Sequence, residues 1–336
     1  MKRTSTTIGV NTTCATLLCF SLAPALGQDM VRYHELTAKA FKQYDSGDFL
    51  GSARSYSEAF ATLDWKGTSD DRYNAACSWA LAGVPDSAFF HLQRIVDRMN
   101  YSNLTHIKGD TDLNTLHSDG RWERLIADVK ANKERLEANY DKPLVALLDS
   151  IYNEDQALRR SVKEMEATYG RNSTELEELW KRMSLKDSLN LVAVDSILGE
   201  RGWLGPDVIG PRGNNTLFLV IQHADLSTQV KYLPMMREAV KHGQAQASSL
   251  ALLEDRVLIR TGKRQVYGSQ VARNSDTGQF YLSPVADPDH LDERRARVGL
   301  EPIAAYLARW NITWSLEAYK KELPVFELLM INSKQE

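Results

Sequence analysis

The sequence predicts a mainly α protein, a short array of helical repeats followed by a helical domain with one small β-hairpin. Three observations carry this. Apolar residues recur at steps of three and four through nearly every segment, the spacing of one helix face. A stretch in the N-terminal half matches a second stretch at a fixed period. Only Val266 to Ala272 and Gln279 to Val285, flanking Asn274-Ser-Asp-Thr-Gly278, read as a turn-bounded strand pair.

The first 27 of the 336 residues have the layout of a secretory leader. Lys2 and Arg3 precede a short apolar run, Cys14 to Ala23, and Ala25-Leu26-Gly27 offers a small-x-small cleavage site. The expectation is a signal peptide over 1–27, cleavage near Gly27, and a secreted or periplasmic product. No later run approaches the ~20 apolar residues of a membrane span. The formal charge is −3 and loses two basic residues with the leader, which argues against a nucleic-acid partner with its demand for a basic face. Of the three cysteines only Cys77 survives cleavage, among alanines, where it reads as a small buried hydrophobe.

Residues 28–140 form the first domain of the reading. Ala40 and Ala76, Gly47 and Gly83, Ser52 and Ala88, Tyr56 and Leu92, and Ala59 and Ile95 share one spacing of about 36 residues. The pattern is small, aromatic, glycine at the turn, small, then bulky. It resembles the tetratricopeptide repeat, a helix–turn–helix unit. Small residues let antiparallel helices approach, and Gly47 and Gly83 suit a left-handed turn between them. Ile107 to Val129 supplies a terminal cap to the array. There Asp110, Asp112 and Asn114 alternate as in a calcium loop, but Thr115 stands where glycine is needed and Arg121 where the closing acid belongs. Helix capping by Asp112 is the better reading.

From Asp141 a second helical domain runs to about 312, leaving 313–336 as a C-terminal tail. Pro143 sits in the first turn of a helix whose apolar stripe is Leu144, Leu148, Ile151, Leu158, Val162 and Met165. Position 155 interrupts the stripe with an acid, costly there unless paired. Asp155 is therefore either the partner of Arg159 one turn on or an acid aimed into a cavity. Thr174 and Glu177 have capping-box spacing ahead of the next helix. Gly202 to Pro206 is a loop, and Thr216 to Ile221, preceded by Asn214 and Asn215 as caps, is read as helix.

An ordered set of polar pieces follows the chain: Asp155-Gln156-Arg159, Asp187-Asn190, Gly202-Trp203, Gln222 to Asp225, Gln229, Leu233-Pro234, Asp255-Arg256-Val257, Gln265-Tyr267-Gly268-Gln270 and Arg294-Arg295-Val298-Gly299-Leu300. Together they resemble a bacterial family of domains of unknown function, over about 145–310. Leu204 and Ser269 stand where that pattern has proline and threonine. The resemblance implies a domain type and no activity.

The candidate catalytic residues are His223, Asp155 and Asp225. Histidine is the natural base near neutral pH, and Asp155, Asp255 or Asp225 could orient it, the last only if its helix ends at Ala224. The alternative for His223 is a core histidine packed under Arg256. Gln156, Arg159, Gln222, Arg256, Tyr267 and Gln270 are candidate ligand-binding residues, the arginines favouring an anion such as a carboxylate. All seven histidines lack a His-x-x-x-His partner and no phosphate-cradling or dinucleotide loop appears, so no metal and no cofactor is expected. Two functions stay open. One is an exported binding protein whose repeats grip a protein or peptide segment and whose second domain holds a small polar or anionic ligand. The other is a periplasmic, hydrolase-like enzyme built on the cluster around His223.

Overall fold

The computed structural model describes residues 23–332. The leader expected over 1–27 lies largely outside them. Among the described residues no helix is long and apolar enough to cross a membrane. The chain divides into two compact units at Leu136 and Glu137.

The first unit contains α1 (Ala23–Asp45), α2 (Phe49–Thr62), α3 (Ser69–Leu81), α4 (Pro85–Met99), α5 (Leu104–Gly109), a 3-10 turn over Thr111–Leu116, and α6 (Gly120–Leu136). Helices α1 to α4 pack in sequence, each on the next, and α6 closes against α4. The paired positions Ala40 and Ala76, Ser52 and Ala88, Tyr56 and Leu92, and Ala59 and Ile95 are all buried. Small pairs set the approach of the helices and bulky ones fill the seam. Gly47 and Gly83 adopt left-handed φ of 82° and 74° with no neighbouring atom crowding a side chain there. Backbone sign, not space, therefore selects glycine. Asp48 and Thr68 cap α2 and α3 by accepting from the N–H groups of Gly51 and Asp71.

One cap differs from expectation. Asp110, not Asp112, caps the 3-10 turn, accepting from the Asp112 N–H at 3.0 Å. Asp112 instead accepts the Tyr44 hydroxyl, and Asp110 also takes that of Tyr73. The extended backbone at Asp110 places its carboxylate over the first turn, two residues ahead of the position chosen from sequence. Deep in the same unit Arg72 is fully buried. Its guanidinium lies over the Phe60 ring and donates to Nδ1 of His91 and to the Trp65 carbonyl.

The second unit contains α7 (Lys142–Tyr169), α8 (Thr174–Arg201), α9 (Pro206–His223), α10 (Leu226–Lys241), α11 (Ala247–Arg260), β1 (Val271–Arg273), β2 (Phe280–Leu282), α12 (Leu291–Arg297), α13 (Ile303–Ala308) and α14 (Leu316–Asn332). Asp141 caps α7 with Pro143 in its first turn. Ser173, one residue before the expected Thr174, caps α8. Helices α7, α8 and α9 pack mutually, and α10 and α11 join them. The core they share includes Leu148, Leu198, Ile209, Leu217, Ile221, Met236 and Leu253. α9 is kinked where Gly210 takes φ 71° just before Pro211. Asn214 is not a cap: its amide donates to the carbonyls of Leu204 and Gln244, tying two loops to α9.

β1 and β2 form the expected antiparallel hairpin, in register Val271↔Leu282 and Arg273↔Phe280. The strands are three residues each, shorter than the 266–285 span, because the N–H groups before β1 bond to side chains instead of a strand. The segment read as a tail carries α14. Its Tyr319 is buried, and the phenol accepts from the Val285 N–H and donates to the Ser283 carbonyl.

Candidate functional site

Three core positions of α7, Leu144, Leu148 and Ile151, lead one turn on to Asp155, only 2% exposed. A carboxylate at such depth must be met by donors. Oδ1 accepts from Nη1 of Arg159 and Nδ1 of His223, both at 2.9 Å, and Oδ2 accepts from Nε2 of Gln156 at 2.6 Å. Arg159 also spans to α8, where its Nη2 donates to both oxygens of Asp187 at 2.9 and 2.8 Å. Burial opposes ionisation of Asp155, but His223 and Arg159 outweigh it and hold the carboxyl below its usual range.

His223 is the last residue of α9, which stops at Ala224, so the ring projects from a helix end toward α7. An ionised carboxylate only accepts, so Nδ1 must carry the proton that it shares with Asp155. In the neutral ring Nε2 is then a proton acceptor. His223 lines a cavity of about 490 Å³ together with Arg159, Asp187 and Arg256. The face of α8 carrying Trp180, Met183 and Leu191 supplies its apolar lining.

Arg256 comes from α11. Its Nη1 donates to the Gln222 carbonyl at 2.8 Å and its Nε to Oε1 of Gln270 at 3.2 Å. Both acceptors are neutral. Burial, with Arg260 and Arg159 nearby, pulls the guanidinium down to about 10. Among the described residues no carboxylate stands within ion-pairing distance of it. It is thus a largely desolvated cation on the cavity wall without a counter-charge.

The remaining sequence candidates take other places. Gln156 braces Asp155. Gln222 offers its main-chain carbonyl to Arg256, but its side chain is buried beside the Leu252 carbonyl and does not line the cavity. Gln270 orients Arg256 from behind. Tyr267 contributes its N–H to Asp255, while its ring lies outside the cavity and its hydroxyl is pushed up by burial, then by Glu254 and Asp255. Asp225 borders the cavity but caps α10, accepting from the Thr228 N–H at 2.7 Å and the Ser227 hydroxyl, which hold its carboxyl below the usual range. Asp155, not Asp225 or Asp255, orients His223.

The sequence reading passed over Asp187, Trp180, Met183, Ser184 and Leu191 as site residues. The signal was present, since these positions recur every three or four residues along α8 and so share a face. Asp255 is fully buried and accepts from the N–H groups of Val266, Tyr267 and Ser269. It fixes the loop that delivers Gln270 to Arg256.

Among the described residues two groups of side chains converge as metal ligands would, Asp155 with Asp187 and His223, and Cys77 with Asp110 and Asp112, each within 4.8 Å. Neither fits an ion well. In the first, Arg159 already bridges both carboxylates and His223 turns a donor on Asp155. In the second, burial pushes the Cys77 thiol up, away from the thiolate that a metal requires.

Fold and site define a mainly α domain with a polar, histidine-bearing cavity between its helices. Residues 142–318, just over half of the chain, match a family of unknown function (DUF6624), and the chain belongs to that family. The match starts on the first residue of α7 and ends inside α14. No curated protein and no solved structure matches the chain.

Proposed function

We propose that the protein is an exported binding protein whose C-terminal unit holds a small anionic ligand in the His223 cavity. Arg256 carries the reading. A desolvated guanidinium hydrogen-bonded only to neutral acceptors is costly, and an anion in the cavity supplies the charge that the described residues do not. Nε2 of His223 gives the ligand a second polar contact on the same wall. The N-terminal helices act as tetratricopeptide-like repeats gripping a protein or peptide segment. The matched ends of α1 and α3 at Asp45 and Leu81, and matched starts of α2 and α4 at Phe49 and Pro85, support that role.

Small carboxylates are expected to raise the melting temperature of the full chain by a few degrees at saturation, since a ligand that binds only the folded state stabilises it by mass action. Arg256→Gln should abolish the shift. Equal shifts in both proteins, or none in either, would contradict the reading. The Asp155–His223 pair favours a second reading, a periplasmic hydrolase-like enzyme in which His223 takes a proton from bound water. Release of product from model esters by the wild type, lost in His223→Asn while binding persists, would establish it.

A further inference from the structure

We infer that the ligand of this cavity is a monoanionic carboxylate with an aromatic or aliphatic body and a hydroxyl or N–H donor beside the carboxylate, an inference that rests on the anion-binding reading above. Charge sets the first condition. Arg159 is spent on Asp155 and Asp187, two acids against one base, and Asp225 adds a further acid at the rim. Arg256 is the lining cation that, among the described residues, has no acid paired to it, so a single ligand carboxylate finds one local partner and a second negative charge finds none. A dianion such as phosphate brings a second charge toward Asp187 and Asp225, and like charges at close range repel.

Hydrogen bonding sets the second. Arg256 uses Nε on Gln270 and Nη1 on Gln222, and among the described residues its Nη2 has no acceptor. The outer edge of the guanidinium is the face that a carboxylate engages with two oxygens. With its one proton on Nδ1 facing Asp155, His223 turns Nε2 to the cavity as an acceptor, which selects a donor on the ligand. Shape sets the third. Trp180, Met183 and Leu191 lie along about 16 Å of α8, at ~1.5 Å of rise per residue. Trp180 is half exposed, a large ring that the core does not use. The same face of α8 also carries Ser184, Asp187 and Ser188, so the apolar contact open to a ligand centres on Trp180, two turns from Asp187, and a ligand with a charged end and an apolar body is oriented by the two.

Calorimetric titration of the full chain with mandelate, phenylacetate, acetate and inorganic phosphate tests this. Mandelate should bind tightest, about tenfold or more over acetate, the increment expected from burying an aromatic body. Phenylacetate should fall between them and phosphate last. Trp180→Ala should bring mandelate down to the level of acetate while leaving acetate unchanged, which also shows that the variant is folded. Arg256→Gln should remove binding of all the carboxylates, with Arg256→Lys restoring part of it. Phosphate binding as tightly as mandelate, or mandelate unaffected by Trp180→Ala, would overturn the inference and leave the anion site standing. No binding of any anion, or unchanged binding by Arg256→Gln, would overturn both.

Discussion

Replacing Asp255 by alanine is expected to cost about 3–5 kcal/mol, the upper end of single-residue effects, because it breaks a buried hydrogen-bond network. The carboxylate is fully buried, and it satisfies the N–H groups of Val266, Tyr267 and Ser269 at 2.7 to 3.0 Å. Its removal strands three donors at once, each worth about 1–3 kcal/mol when unmet and buried. The loop has little else to fall back on. Its remaining polar groups are themselves committed, with Gln265 bonded to the main chain of Gln270 and Ser283, and Arg295 to the Tyr267 carbonyl. Asp255→Asn keeps one acceptor oxygen but turns an amide NH2 toward donors, so it should lose a smaller part of the same energy. Urea denaturation of the full chain followed by near-UV circular dichroism measures both. A loss below about 1 kcal/mol for the alanine variant would mean that the loop is held elsewhere.

The second large effect is a pH dependence seated in the first unit. His91 is 2% exposed, and its Nδ1 accepts from Arg72, so the ring is neutral and its proton is on Nε2. Burial, then Arg72 and Arg94, pull its pKa from 6.5 to about 4. The folded value lies below the unfolded one. As pH falls the unfolded chain takes the proton first, and each pH unit between about 6.5 and 4 removes about 1.4 kcal/mol of stability. The accumulated loss is about 3 kcal/mol at the acid end. Above pH 6.5 the contribution is constant. His91→Gln keeps a side chain able to accept from Arg72 and cannot titrate, so its unfolding midpoint should change less than that of the wild type between pH 7 and 4.5. Parallel curves for the two proteins across that range would refute the assignment.

What sequence revealed and what it hid follow from the same physics. Helical class was legible because Leu144, Leu148 and Ile151 keep one face of α7, and Gly47 and Gly83 because only a left-handed turn demands glycine at that spacing. The hairpin was legible from Asn274 to Gly278, but its short strands were not, since the N–H groups that would have lengthened it bond to Asp255. Asp155 declared itself as an acid on an apolar stripe, and Arg159 as its neighbour one turn away. Residue type could not separate a ligand contact from a cap at Asp225, or a ring from a main-chain N–H at Tyr267. Nor could it show that Arg159 is already neutralised while Arg256 is not. A missing partner is a property of three dimensions, and periodicity reports only which residues share a face.

The account turns on His223 being held through Nδ1 by Asp155 with Nε2 turned to an anion cavity. Long-range proton–nitrogen NMR spectra of the His223 ring report this directly. The account predicts an Nδ1–H tautomer in the free protein, its loss of definition in Asp155→Asn, and a shift of the Nε2 resonance when mandelate is added to the wild type but not to Arg256→Gln. An Nε2–H tautomer, or an Nε2 resonance indifferent to saturating mandelate, would contradict it.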